Sequence, residues 1–144
     1  MSWQWVRRDT VFAVHDKQLA VHGGLAGVRD LNTVESALNR AQNLAADGDP
    51  PPDVADLAAA YIYGIATSHG FSDGNKRTAW VTGRLFLAIN GESLAFSEFD
   101  AINFMLAVAA GNMTELQAAD WIRQRLVTAE SPCPLLQAKS AKIC

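Results

Sequence analysis

Apolar residues recur at helical spacing along almost the whole chain, and glycines, prolines and capping residues punctuate them. The first periodic segment predicts a helix from after Arg8 to about His22, with Val11, Phe12, Val14 and Leu19 near one face and Gly23-Gly24 as its stop. Asn32 or Thr33 is placed to cap a second helix to about Ala45, striped by Val34, Ala37, Leu38 and Ala41. Pro50-Pro51-Pro52 is a rigid break. Asp53 then caps a third helix, Val54 to about Ser68, which is apolar on most faces and so belongs at the centre of the fold. A polar loop leads into a helix from about Asn75 to Asn90, with Gly91 as its C′ residue. Ser97 caps the next, to about Ala110, and Gly111 ends it. Thr114-Glu115-Leu116-Gln117 reads as a capping box for a last helix to about Thr128. A short strand at Trp3 to Val6, or near Leu94 to Phe96, would leave an all-α reading of about six helices unchanged. From Ala129 onward Pro132, Pro134 and the loss of periodicity predict a loose tail, so residues 1–128 form the domain and 129–144 trail from it.

Composition narrows the picture modestly. A chain of 144 residues, 49% hydrophobic and 19% charged, suits one domain with a real core. A net charge of −3 argues against nucleic acid as a direct partner. Between Arg40 and Lys76 there is no Lys or Arg, while Asp47, Asp49, Asp53 and Asp56 fall there. That stretch reads as a solvated loop and helix start, with a docking site for a basic partner as the alternative. The start, Met1 to Arg8, lacks the apolar region of a signal peptide, and no apolar run approaches the roughly 20 residues of a membrane span. Cys133 and Cys144 do not make a disulfide framework, and the expectation is a cytoplasmic protein with free thiols and no membrane partner.

The segment His69-Gly70-Phe71-Ser72-Asp73-Gly74-Asn75-Lys76-Arg77-Thr78-Ala79 concentrates the candidate chemistry. Histidine can accept a hydroxyl proton at neutral pH. Asp73 has two readings, an N-cap for the helix at Asn75 or a ligand for Mg²⁺, and the two are compatible. Gly74 and Asn75 shape a turn whose successive N–H groups can cradle an anion, and Phe71 reads as a buried anchor. Lys76 and Arg77 oppose the helix dipole at a helix amino-terminus, a local conflict that a bound phosphate would relieve. Arg77 offers a fork of donors and Lys76 a point charge. A P-loop does not fit, because Asn75 separates the glycine from the lysine and the loop follows a helix. His15 and His22 lack such company and read as structural or exposed, with no three-histidine metal site.

This segment resembles the Fic/Doc signature H-x-F-x-[D/E/N]-[G/A]-N-[G/K]-R, and Lys76 places it nearest the Doc, or death-on-curing, branch. The flanks resemble the family too: Ala13-Val14-His15-Asp16 followed by Gly23-Gly24-Leu25-Ala26-Gly27, and Arg84 to Gly91. The likeness spans roughly residues 6 to 127. It implies a compact all-helical Fic/Doc domain acting as the toxin of a toxin–antitoxin pair. Such an enzyme transfers the γ-phosphate of a nucleoside triphosphate such as ATP to a protein hydroxyl; elongation factor Tu is the family target, and translation stalls. By the same resemblance His69 is the general base, Asp73 with Mg²⁺ positions the nucleotide, and Gly74, Asn75, Lys76 and Arg77 bind and stabilise phosphate. An antitoxin tail would lie in a groove that Ala101 to Ala110 could supply. There are departures. AMP-transferring Fic enzymes carry proline at Gly70, glycine at Lys76 and arginine at Trp80, whereas Doc proteins often carry alanine at Gly74. AMP transfer and a non-catalytic binding module therefore remain the alternatives.

Overall fold

The computed structural model of the protein describes residues 2–128, which form six α-helices and one two-stranded ribbon. In chain order these are α1 (Arg8–His22), α2 (Leu31–Asp47), α3 (Val54–Ser68), α4 (Asn75–Ile89), β1 (Glu92–Leu94), α5 (Glu98–Ala109), α6 (Glu115–Arg123) and β2 (Leu126–Thr128). Helix α3 is the axle. Residues Leu57, Ala58, Ala59, Ala60, Tyr61 and Ile62 are all fully buried, and α2, α4, α5 and α6 pack around them. Small residues permit the close approaches. A Cβ on Gly64 would stand 3.2 Å from the Ala37 carbonyl on α2, and one on Gly83 of α4 would stand 2.4 Å from Ile62 Cγ1. Asp53 and Asp56 form a capping box that starts α3, as the sequence pattern predicts for Asp53.

Four local features differ from the sequence pattern. Helix α2 is capped by Asp30, whose carboxylate accepts from Thr33 N–H at 3.2 Å, so the helix starts before Asn32 and runs on to Asp47. Helix α6 stops at Arg123 instead of near Thr128. Leu126, Val127 and Thr128 pair antiparallel with Leu94, Ser93 and Glu92, and Ala95 N–H donates to the Arg125 carbonyl at 2.9 Å. That pairing partner is some thirty residues away, which helix periodicity cannot register. Of the two places that the sequence offers for a short strand, the one near Leu94 forms, as β1, whereas Trp3 to Val6 forms none. Trp3 and Trp5 lay their rings near Phe86, and Gln4 exchanges two hydrogen bonds of 2.9 Å with the Asn90 side chain. On α1 the buried positions are Val11 and His15, while Val14 and Leu19 are half-buried.

The acidic stretch is partly neutralised from afar. Arg123 hydrogen-bonds Asp53 and Asp56 at the start of α3 and Asp120 on its own helix. The Arg123 guanidinium holds the Asp53 carboxyl down to about 2. Among the described residues no helix is long and apolar enough to cross a membrane. The tail expected over 129–144, with Cys133 and Cys144, lies outside the described residues.

Candidate functional site

The loop between α3 and α4 begins where His69 caps α3 in the left-handed conformation, φ 54° and ψ 36°. No other non-glycine residue among those described has positive φ. Such a conformation costs on the order of 1 kcal/mol and recurs at functional sites. Here it turns the chain out of the helix and leaves the imidazole exposed. Gly70 must be small, because a Cβ would meet Val34 Cγ2 at 2.5 Å and Val34 N at 3.1 Å. The Cβ of a proline at this position would meet the same Val34 atoms. The Gly70 carbonyl accepts from the N–H groups of Arg29 (2.8 Å) and Asp30 (3.0 Å).

Phe71 is the buried anchor that the sequence predicts, 1% exposed. Its ring stacks on His15, with centroids 3.9 Å apart, and meets Phe12 edge-on. Asn75 clasps the Phe71 main chain at both ends: its amide oxygen accepts from Phe71 N–H (3.1 Å) and its Nδ2 donates to Phe71 O (3.0 Å). The Asn75 side chain is thus committed to the loop, and what it offers an anion is its N–H. Ser72 N–H donates to Gly27 O at 3.1 Å, and Val28 bridges to Phe71. The glycine-rich segment after α1 is therefore bonded along the motif loop.

Asp73 does not cap α4 with its side chain. Gly74 occupies the cap position at φ 77°, where glycine avoids the strain of a Cβ. One Asp73 oxygen accepts from Gly74 N–H (2.8 Å) and the other from Leu25 N–H (3.2 Å). Gly24 has to be glycine there, since its φ is 124° and a Cβ would stand 2.8 Å from Asp73 Oδ2. The Leu25 and Gly74 N–H groups, with the charges of Arg77 and Lys76, hold the Asp73 carboxyl below its ordinary value. It is a carboxylate at neutral pH.

The first helical bond of α4 runs from Thr78 N–H to Gly74 O at 3.0 Å. The N–H groups of Asn75, Lys76 and Arg77 thus have no intrahelical acceptor and form the anion-facing start of the helix. Lys76 and Arg77 are exposed, and neither forms an ion pair among the described residues. With His69, Ser72, Asp73 and Gly74 they line one cavity of about 440 Å³. The structure thus brings every sequence-predicted site residue to one place. His22 is exposed and outside it.

A metal fits only in company. Asp73 is ionised and exposed, and each oxygen accepting one N–H retains a lone pair. No cluster of three His, Cys, Asp or Glu among the described residues could form a cage. One carboxylate with phosphate and water ligands is how Mg²⁺ is commonly held.

A second, more apolar cavity of about 450 Å³ shares Lys76 and Arg77 with the first and continues along Trp80, Phe96, Met105 and Leu106. Trp80, the position where AMP-transferases carry arginine, meets Phe96, Phe104 and Trp121 edge-on. The Arg84 guanidinium lies over the Phe96 ring (5.0 Å) and the Trp80 ring (5.8 Å), and Arg84 does not line the first cavity.

The sequence pattern misses the two partners that Asp73 takes from outside the loop, His15 and Leu25. A signal for His15 was available: Val11, His15 and Leu19 are spaced by four, so a titratable ring stands in an apolar row. Leu25 N–H carries none, being a main-chain group.

Comparison with known proteins agrees with the geometry. The Fic/DOC family profile matches residues 5–87. The chain is 30% identical over 122 residues to "Protein kinase doc" of Escherichia phage P1, covering 85% of this chain and 95% of that protein. It is 42% identical over 78 residues to "Toxin Doc" of Mycolicibacterium smegmatis, covering 54% of this chain and 59% of that protein. With the motif loop, the helical body and these relatives in agreement, the chain belongs to the Fic/Doc family, on its Doc side.

Proposed function

We propose that the chain is a Doc-like toxin that moves the γ-phosphoryl group of a nucleoside triphosphate such as ATP to a serine or threonine hydroxyl of a protein. The observation that carries this reading is the single cavity shared by the exposed His69 imidazole, the Asp73 carboxylate and the cationic helix start at Lys76 and Arg77. The names of the two relatives, a protein kinase and a toxin, point the same way. His69 accepts the proton of the target hydroxyl as its oxygen attacks the γ-phosphorus; the bond to the bridging oxygen breaks and the nucleoside diphosphate leaves. The N–H groups of Asn75, Lys76 and Arg77 and the two side-chain cations meet the charge that develops on the phosphoryl oxygens. Asp73 would hold Mg²⁺, which when bound offsets phosphate charge.

Lys76 favours γ- over α-transfer. Its stem takes space at the cavity that a second glycine would leave open, and its ammonium suits a terminal phosphate. Transfer of AMP is the alternative outcome of the same site. A non-catalytic module would not need a histidine held in a strained conformation over an anion site. By family resemblance the target is elongation factor Tu, translation stalls, and the protein works in the cytoplasm. The neutralising partner is an antitoxin segment. Exposed Ile102 and Leu106 on α5 border the apolar cavity beside the site, within the stretch Ala101 to Ala110, and would receive it.

Expression of the chain should arrest growth, and co-expression of a cognate antitoxin should restore it. His69→Ala should relieve the arrest and leave the melting temperature near that of the unaltered protein, because the side chain is exposed. Arrest by His69→Ala equal to that of the unaltered chain would remove His69 from the mechanism.

A further inference from the structure

We infer that His15, far from the motif in sequence, is a positioning residue of the phosphate site: its Nε2–H holds the Asp73 carbonyl and so sets the peptide from which the Asp73 carboxylate and the start of α4 are hung. The ring is 2% exposed. Its Nε2 lies 2.8 Å from Asp73 O. A carbonyl oxygen can only accept, so Nε2 carries the proton and donates.

The contact acts on the peptide that matters most. The Asp73–Gly74 peptide is held at both ends, its C=O by His15 and its N–H by Asp73 Oδ1 at 2.8 Å. Gly74 is the left-handed cap, and the N–H groups of Asn75, Lys76 and Arg77 follow from it. Rotation of that peptide would release the carboxylate from Gly74, draw its other oxygen from Leu25 N–H and turn the helix start away from the cavity. Histidine serves both demands of the place. Its flat ring stacks on Phe71 at 3.9 Å and 15°, and its edge donates. Phenylalanine could stack but not donate, and glutamine could donate but not stack. A core-filling role alone would be met by the phenyl ring.

The consequence for nucleotide rests on the phosphotransferase reading, but the positioning does not, so the two are tested by separate readouts. Amide hydrogen exchange on the nucleotide-free protein reports the loop, and calorimetric titration with MgATP reports the site. In His15→Phe the exchange of Gly74 and Leu25 amides should accelerate while the α3 amides stay protected. Affinity for MgATP should fall about 10-fold, the scale on which positioning partners act. In His15→Gln the melting temperature falls with the lost stacking, yet Gly74 protection and MgATP affinity stay close to those of the unaltered protein. Unchanged Gly74 and Leu25 exchange in His15→Phe overturns the inference whether or not nucleotide binds. Should His15→Phe not fold, His15→Gln decides: retained Gly74 protection supports the inference and lost protection overturns it. An unaltered protein that binds no MgATP counts against the phosphotransferase reading and leaves the exchange result standing.

Discussion

Helix α3 and the loop that continues from it meet at Ser68 and His69, yet they are held by opposite means. Helix α3 is locked by packing, with Leu57 to Ile62 fully buried. The loop keeps only Gly70 and Phe71 inside; His69, Ser72 and Asp73 face solvent. What fixes it is hydrogen bonding: Arg29 and Asp30 N–H to Gly70 O, the Asn75 side chain with the Phe71 main chain, Ser72 N–H to Gly27 O, and Leu25 N–H and His15 Nε2–H to Asp73. Packing tolerates no lost volume but asks little of direction. Hydrogen bonds fix direction while leaving reactive groups wet. The fold therefore separates stability from chemistry across one peptide bond, and substitutions on the two sides should fail differently.

The largest expected effect lies on the helix side. Leu57→Ala should cost about 2–5 kcal/mol, read by urea denaturation, because a fully buried leucine leaves a cavity. Transfer activity per folded molecule should persist at temperatures where the variant remains folded. Gly70→Ala sits on the seam and should cost about 1–3 kcal/mol, since its Cβ would press on Val34 side chain and backbone alike. Unlike Leu57→Ala it should also lower activity in the folded fraction, because Val34 and the loop must part. A Gly70→Ala protein as stable and active as the unaltered one would show that the loop is not seated as described.

How much of this was legible depends on distance along the chain. Where a signal is local, the sequence carried it: Asp53 as a cap, the stripe Val34, Ala37, Leu38 and Ala41, the stop at Gly111, and Phe71 as an anchor. The membership of His69, Asp73, Gly74, Lys76 and Arg77 in one cavity follows from their sharing one loop and the helix start that continues it. Partners supplied from elsewhere were not legible. The segment of β2 carries a helical pattern in sequence, and its partner β1 lies some thirty residues back. Asp73 has the local pattern of a cap, and its bond from Leu25 N–H spans 48 residues. The acidic stretch from Asp47 to Asp56 reads in sequence as a solvated loop and helix start, because the Arg123 that meets Asp53 stands 70 residues away.

That last contact supplies a smaller, pH-dependent effect away from the site. The Asp53 carboxyl is drawn from 3.8 to about 2, first by its hydrogen bond from Arg123. A lowered folded-state value means that the contribution is complete above the unfolded value near 3.8 and is lost as the pH falls through about 2. The two side chains are 52% and 39% exposed, so screening trims the contribution to on the order of 1 kcal/mol. Arg123→Met should lower stability by that amount at neutral pH and flatten the acid limb of the pH–stability curve below about pH 4. An unchanged acid limb would show that the Arg123 cluster contributes nothing net. Activity should not respond, because α6 does not line the cavity that holds His69 and Asp73.

On the proposed function, His69 runs a phosphoryl-transfer site at this loop, with Lys76 at the terminal phosphate. The most direct measurement incubates the purified chain, Mg²⁺ and elongation factor Tu with ATP labelled at either the α- or the γ-phosphate and follows label into protein. The expected result is γ-label on the target, none from the α-position, loss of transfer in His69→Ala, and reduced γ-transfer in Lys76→Gly. Transfer of the α-label by the unaltered chain would contradict the kinase reading, and γ-transfer that survives His69→Ala would contradict the assignment of the base.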